Sequence, residues 1–171
     1  ADPQAVLQGI EKIEPVGGRM QLAARLQNGA AVYVDYAHTP DALQRLLEAL
    51  RPHTEAALSV VFGCGGDRDI GKRPEMGAIA HRLADHVIVS DDNPRSEDAG
   101  QIRAAILAAA TGASEISARE DAIFEAVRGL ATGDILVIAG KGHEQGQIIG
   151  GKTIPFDDVE VAVRAAAEVD Q

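Results

Sequence analysis

Apolar positions along this chain switch between two periods. Met20 to Leu26 and Ala31 to Tyr36 read as strands flanking Gln27-Asn28-Gly29, and Asn-Gly between such runs is a strong hairpin signal. Thr39-Pro40-Asp41 then carries a helix start: a capping hydroxyl, a proline at the first position and an acid in the first turn. Leu43, Leu46, Leu47 and Leu50 give that helix its apolar stripe. Ala57 to Phe62 is an unbroken apolar run of the buried-strand type. The pattern continues with a helix over 72–84, a strand over 87–89, helices near 97–110 and 120–131, and a buried strand over 134–139. A hairpin over 148–155 and a closing helix over 159–169 complete it.

Strands separated by helices predict an α/β fold: a mostly parallel sheet, helices on both faces, and one antiparallel edge hairpin from the first two strands. Residues 1–18 stand apart. Val6, Leu7, Ile10 and Ile13 form a short helical pattern that ends at Pro15-Val16-Gly17-Gly18, and position 1 is not methionine. We read 1–18 as an interdomain linker from a preceding domain and 19–171 as the folded unit. A trimmed N-terminus is the plainer alternative.

Composition narrows the class. With 46% apolar and 25% charged residues, the chain has the balance of a soluble globular domain. Three Phe, two Tyr and no Trp leave the core to Ala, Val, Leu and Ile. A net charge of −10 argues against nucleic acid or an anionic membrane surface as partner. The single cysteine, Cys64, excludes an internal disulfide and a multi-cysteine zinc site, and fits a reducing, cytoplasmic setting.

Four loops, each after a predicted strand, gather the candidate chemistry at one sheet edge: Asp35-Tyr36-Ala37-His38, Gly63 to Asp69, Asp91 to Ser96, and Gly140-Lys141-Gly142-His143-Glu144. Ligands of open parallel sheets bind at the carboxyl ends of strands. In Asp91-Asp92-Asn93-Pro94-Arg95-Ser96, Arg95 offers a planar fork suited to a carboxylate, Pro94 stiffens the backbone before it, and Ser96 can cap the next helix. That points to a pocket for a small zwitterion; a polar loop with a good N-cap explains the stretch equally well. Gly66 to Lys72 matches G-x-x-x-x-G-K, but Arg73 stands where a P-loop needs a hydroxyl, and Pro74 follows. The glycines there are better read as allowing close backbone approach, with Arg68 either holding a carboxylate or pairing with Asp67 or Asp69. Glu144 can accept an ammonium group. His143 and His38 lack evident partners, and Asp35 with His38 makes too few ligands for a metal; helix capping and nucleotide contact suit that pair better.

Taken together in this order, Val16 to Met20, Asp35 to Leu43, Phe62 to Asp69 with Lys72-Arg73-Pro74, Asp92-Asn93-Pro94-Arg95 and Gly140 to Glu144 closely resemble the C-terminal domain of the Mur ligases, and among these the members that add meso-diaminopimelate. The resemblance spans nearly the whole chain. It implies a Rossmann-like domain of an ATP- and Mg2+-dependent amide-bond ligase of peptidoglycan synthesis acting on UDP-MurNAc-L-Ala-D-Glu. By motif, Arg68, Asn93, Arg95, Gly140 and Glu144 would hold the amino acid, with Asp92 and Pro94 in the same recognition motif. Arg19, Asp35 and His38 would lie against the nucleotide. ATP, Mg2+ and the UDP moiety would be held mainly by upstream domains, so the chain alone is expected to be inactive. The related folylpolyglutamate synthetases are disfavoured by Asp-Asn-Pro-Arg. A free-standing amino-acid-binding module without catalysis is the reading from another class; a nucleotide-binding regulatory domain is weakened by the missing P-loop.

Overall fold

The computed structural model describes residues 16–171. The helical pattern expected around Val6 to Ile13 lies outside the described residues.

Residues Gln21–Arg25 (β1) and Ala31–Asp35 (β2) form the expected antiparallel hairpin. Gly29 takes φ +91 at its turn, and the Asn28 side chain accepts from the Ala30 amide at 2.9 Å. Pro40–Leu50 (α1) is capped by Thr39, whose hydroxyl accepts from the Ala42 amide, with proline at the first turn as read from sequence. Then follow Leu58–Phe62 (β3), Lys72–Leu83 (α2), His86–Val89 (β4) and Ala99–Leu107 (α3). A two-residue strand, Ser114–Glu115 (β5), comes next; it is too short for any period to reveal. Arg119–Arg128 (α4), Ile135–Ala139 (β6), Gly146–Ile149 (β7), Lys152–Pro155 (β8) and Asp158–Val169 (α5) complete the chain.

The 6-stranded sheet runs β1-β2-β6-β3-β4-β5, parallel throughout except for the β1 edge. Successive side chains on a strand point to opposite faces, so β6 divides its residues between two cores. Val137 joins Leu43 and Leu47 of α1, Met76 of α2 and Ile106 of α3 on one face. Leu136 and Ile138 join Ile123 and Val127 of α4 and Val161 and Ala165 of α5 on the other. Both central strands are buried along their whole length, as their unbroken apolar runs predict. Val, Leu, Ile and Ala dominate both layers.

Neighbours β3 and β6 send their chains to opposite faces: β3 leads into α2, and β6 leads through the β7–β8 hairpin to α5. This divergence opens a crevice at the carboxyl ends of the strands. The β7–β8 hairpin is no part of the main sheet. It attaches to the loop after β4 through the Arg95 amide, which donates to the Ile148 carbonyl at 2.9 Å, and the Gly150 amide, which donates to the Arg95 carbonyl at 2.8 Å.

Candidate amino-acid site at the sheet switch point

A cleft of about 570 Å³ lies in that crevice. Its lining includes Arg68, Asp92, Asn93, Arg95, Gly140 and Glu144, all expected from sequence to surround an amino acid. His38 lines it too. Pro94 is buried behind the wall, and Arg19 and Asp35 sit to one side.

The wall is built by drawing the β3 and β4 loops together. The Gly66 amide donates to the Asn93 carbonyl at 2.9 Å, and a Cβ at Gly66 would stand 2.0 Å from the Pro94 carbonyl oxygen. Only glycine permits this approach. Across the seam, Arg95 Nη1 donates to the Gly66 carbonyl at 2.8 Å, which anchors one corner of the guanidinium and turns the rest toward the cleft. Asp67 and Arg95 both have φ 54, a left-handed backbone that costs energy in any residue with a side chain. Bonds to Ile148, Gly150 and Gly66 hold Arg95, and a clasp holds Asp67. Ser96 Oγ donates to Asp67 Oδ1 at 2.6 Å, the Asp67 amide donates to Glu97, and Glu97 accepts two bonds of 2.9 Å from the buried Arg73.

Two sequence expectations change here. Ser96 does not cap the following helix: Asp98 does, accepting from the Gln101 amide, and the helix begins at Ala99 rather than near Glu97. The reason is that Ser96 and Glu97 are committed to the clasp. Nor do Asp35 or His38 cap α1, where Thr39 serves. Asp35 instead takes the amides of Met20 and Ala37, each at 2.8 Å, and pins the start of β1 to the end of β2. The phosphate-loop resemblance fails on geometry as well as on sequence. The amides of Gly66, Asp67 and Gly71 are already taken by Asn93, Glu97 and Asp69, so they cannot cradle a phosphate.

Arg68 is exposed and reaches the cleft edge; its Nη1 donates to the Asp67 carbonyl at 3.0 Å, and the described ion pairs do not include it. The surface pairing with Asp67 or Asp69 is therefore not formed. Gly140 takes φ +120, and a Cβ there would stand 2.6 Å from Asp92 Oδ2. Asp92 is buried, and burial pushes its carboxyl up, against the lowering pull of Arg119 and Lys141. Burial also acts to raise Glu144, but hydrogen bonds from Asn93 and Lys141 and the charges of Lys141 and Arg95 outweigh it and hold that carboxyl below its usual range. Cys64 packs on Met76 with sulfurs 3.7 Å apart, and burial pushes its thiol up to about 11, so it offers no thiolate.

Three buried charges beneath the cleft escaped the sequence reading. Lys141 was visible only as a lysine between two glycines. Arg119 and Asp158 carry no local signal, each being the first residue of an otherwise ordinary helix. They form a fully buried pair with bonds of 2.7 and 2.8 Å, and Arg119 also donates to the Ala139 carbonyl at 3.0 Å, directly before Gly140.

On the side facing β1 and β2, an exposed cluster surrounds Tyr36. The Arg19 guanidinium lies 5.6 Å from the Tyr36 ring centre, the His38 ring 4.6 Å and the His143 ring 5.4 Å. His38 Nδ1 donates to the Tyr36 carbonyl at 2.9 Å, and the His38 carbonyl accepts from Lys72. Among the described residues, no group of three or more His, Cys, Asp or Glu is placed to hold a metal ion. No helix among them is long and apolar enough to cross a membrane.

Known proteins of similar sequence include diaminopimelate ligases, by name. The chain is 60% identical over 168 residues to the UDP-N-acetylmuramoyl-L-alanyl-D-glutamate–2,6-diaminopimelate ligase of Zymomonas mobilis, covering 96% of this chain and 35% of that protein. It is 59% identical to the enzyme of the same name from Caulobacter vibrioides, covering 99% of this chain and 35% of that one. A solved structure of a ligase of that name superposes with a TM-score of 0.83 at 43% identity, over 98% of this chain and 35% of the other. The chain therefore spans about a third of the length of these relatives. Residues 18–142 match the family model described as Mur ligase, glutamate ligase domain, and the chain belongs to that family.

Proposed function

We propose that this chain is the C-terminal, amino-acid-binding domain of an ATP-dependent ligase that joins meso-diaminopimelate to UDP-MurNAc-L-Ala-D-Glu in peptidoglycan synthesis. The observation that carries the reading is the convergence of Arg68, Arg95, Asn93 and Glu144 on one cleft at the strand switch point. Diaminopimelate carries, at each end of a three-methylene chain, a carbon that bears both a carboxylate and an ammonium. Arg95, anchored by one nitrogen, and Arg68, loose at the rim, can grip one carboxylate from two directions. Glu144, held ionised, accepts the neighbouring ammonium. Lysine lacks the distal carboxylate and would leave the remaining donors of the half-buried Arg95 guanidinium without a charged acceptor, which discriminates against it.

ATP would supply the phosphoryl group that activates the glutamate carboxylate. The Tyr36 cluster with Arg19 and His38 fits one flank of a nucleotide, whereas the loop amides that a phosphate cradle needs are taken. We therefore assign Mg2+, the phosphates and the UDP sugar mainly to other domains, residues 1–18 to the linker toward them, and the assembled enzyme to the cytoplasm. Its partners would be these small substrates, not nucleic acid or membrane. This chain alone would be inactive.

A chimera tests this directly: the Zymomonas mobilis ligase with its matching third replaced by this chain. Phosphate release that needs ATP, the UDP-dipeptide and meso-diaminopimelate, and fails with L-lysine, is expected. A folded chimera that uses neither amino acid, or prefers lysine, contradicts the assignment.

A further inference from the structure

Lys141 is completely buried, yet both of its side-chain partners line the cleft. A buried ammonium is costly unless it is paired and hydrogen-bonded. Lys141 Nζ donates to Asn93 Oδ1 at 3.0 Å and to Glu144 Oε2 at 3.1 Å. The orientation of the Asn93 amide follows from what these groups can do. The Ile148 amide, 2.9 Å away, and the Lys141 ammonium are both donors only, so the atom they share must be the amide oxygen. Asn93 Nδ2 is then turned to Glu144 Oε2 at 2.9 Å. Oε2 thus accepts two bonds, and Oε1 accepts none of those described.

We propose that Lys141 is a positioning residue for amino-acid recognition: from beneath the cleft it locks Asn93 and one oxygen of Glu144, which reserves the other oxygen for a substrate ammonium group. The proposal deepens the function above and rests on it. It also explains how opposite charges coexist in one small pocket. Arg95 lies near enough for its charge to act on Glu144. A Glu144 released from Lys141 can turn to Arg95, and that pairing would remove the ammonium acceptor and the carboxylate clamp together.

Two measurements test it. In the ligand-free chain, the ammonium protons of Lys141 should exchange slowly with water by NMR at neutral pH, and faster in Glu144→Gln. Exchange as fast as that of exposed Lys152 overturns the arrangement. Calorimetry with meso-diaminopimelate should then show Lys141→Met, which keeps an unbranched side chain one atom shorter and removes the charge, binding at least tenfold more weakly while its backbone amide spectrum stays native. Wild-type affinity in a folded Lys141→Met overturns the proposal. A wild-type chain that binds no diaminopimelate instead counts against the amino-acid reading. In that case, or if Lys141→Met does not fold, the ammonium exchange decides on its own whether Lys141 holds its two partners.

Discussion

The two sides of the cleft are built differently. On the amino-acid side, Asn93, Arg95, Lys141 and Glu144 are tied to one another and to backbone across three loops. On the Tyr36 side, Asp35 spends both oxygens on backbone amides, and Arg19, His38 and His143 stand around an aromatic ring in the open. Under the proposed function, the first side would be a complete recognition surface and the second half of one. A surface on which Arg19 and His143 make none of the described side-chain hydrogen bonds suits a ligand that is shared with another body. That matches a chain which spans about a third of the relatives it resembles.

The largest expected effect should strike both sides together. Asp158→Ala leaves Arg119 buried without its partner beneath the β6 loop and should lower stability by about 3–5 kcal/mol in urea unfolding. A loss below 1 kcal/mol would mean that the pair is not part of the floor. Arg95→Ala should separate the two sides. Selection of meso-diaminopimelate over L-lysine should fall by about 2–5 kcal/mol in paired binding titrations, while the Tyr36 cluster keeps its NMR shifts. Unchanged selection would move the carboxylate clamp elsewhere. Asp35→Ala makes the converse cut. Freeing the Met20 and Ala37 amides should cost about 1 kcal/mol of stability and leave amino-acid affinity alone.

The finest test is a pH profile. Folding raises the Asp92 carboxyl from its ordinary 3.8, so the unfolded chain ionises first and this group costs stability as pH rises above that value. Folding lowers Glu144 from 4.5, so its contribution is present above that value and is lost as pH falls through the lower folded one. Asp92→Asn should therefore be more stable than wild type near neutrality and match it in acid. Glu144→Gln should differ least from wild type in acid. Parallel profiles for all three proteins would show that neither carboxyl is perturbed.

The elements, the mostly parallel sheet and its antiparallel edge could be anticipated because their signals are local, whereas the strand order, with β6 between β2 and β3, is set by long-range packing. Period, turn residues and the Thr39 cap each act within a few positions, and parallel connection rules do the rest. The cleft was readable for the same reason: each motif follows a buried strand, and parallel strands place such loops on one edge. What stayed hidden is the network behind it. Ser96 has the residue type and spacing of a cap, but Asp67, far along the chain, claims its hydroxyl. Arg119 and Asp158 meet only after α4 and α5 have packed on one face. Buried charges are specified by tertiary partners, and no local period encodes them.

The central claim is that the amino-acid side is whole within this chain and reads a second carboxylate. Calorimetric titration of the isolated chain with meso-diaminopimelate and with L-lysine tests it most directly. The account predicts saturable binding of the first and none of the second. Equal binding of both, or binding of neither by a folded chain, would contradict it.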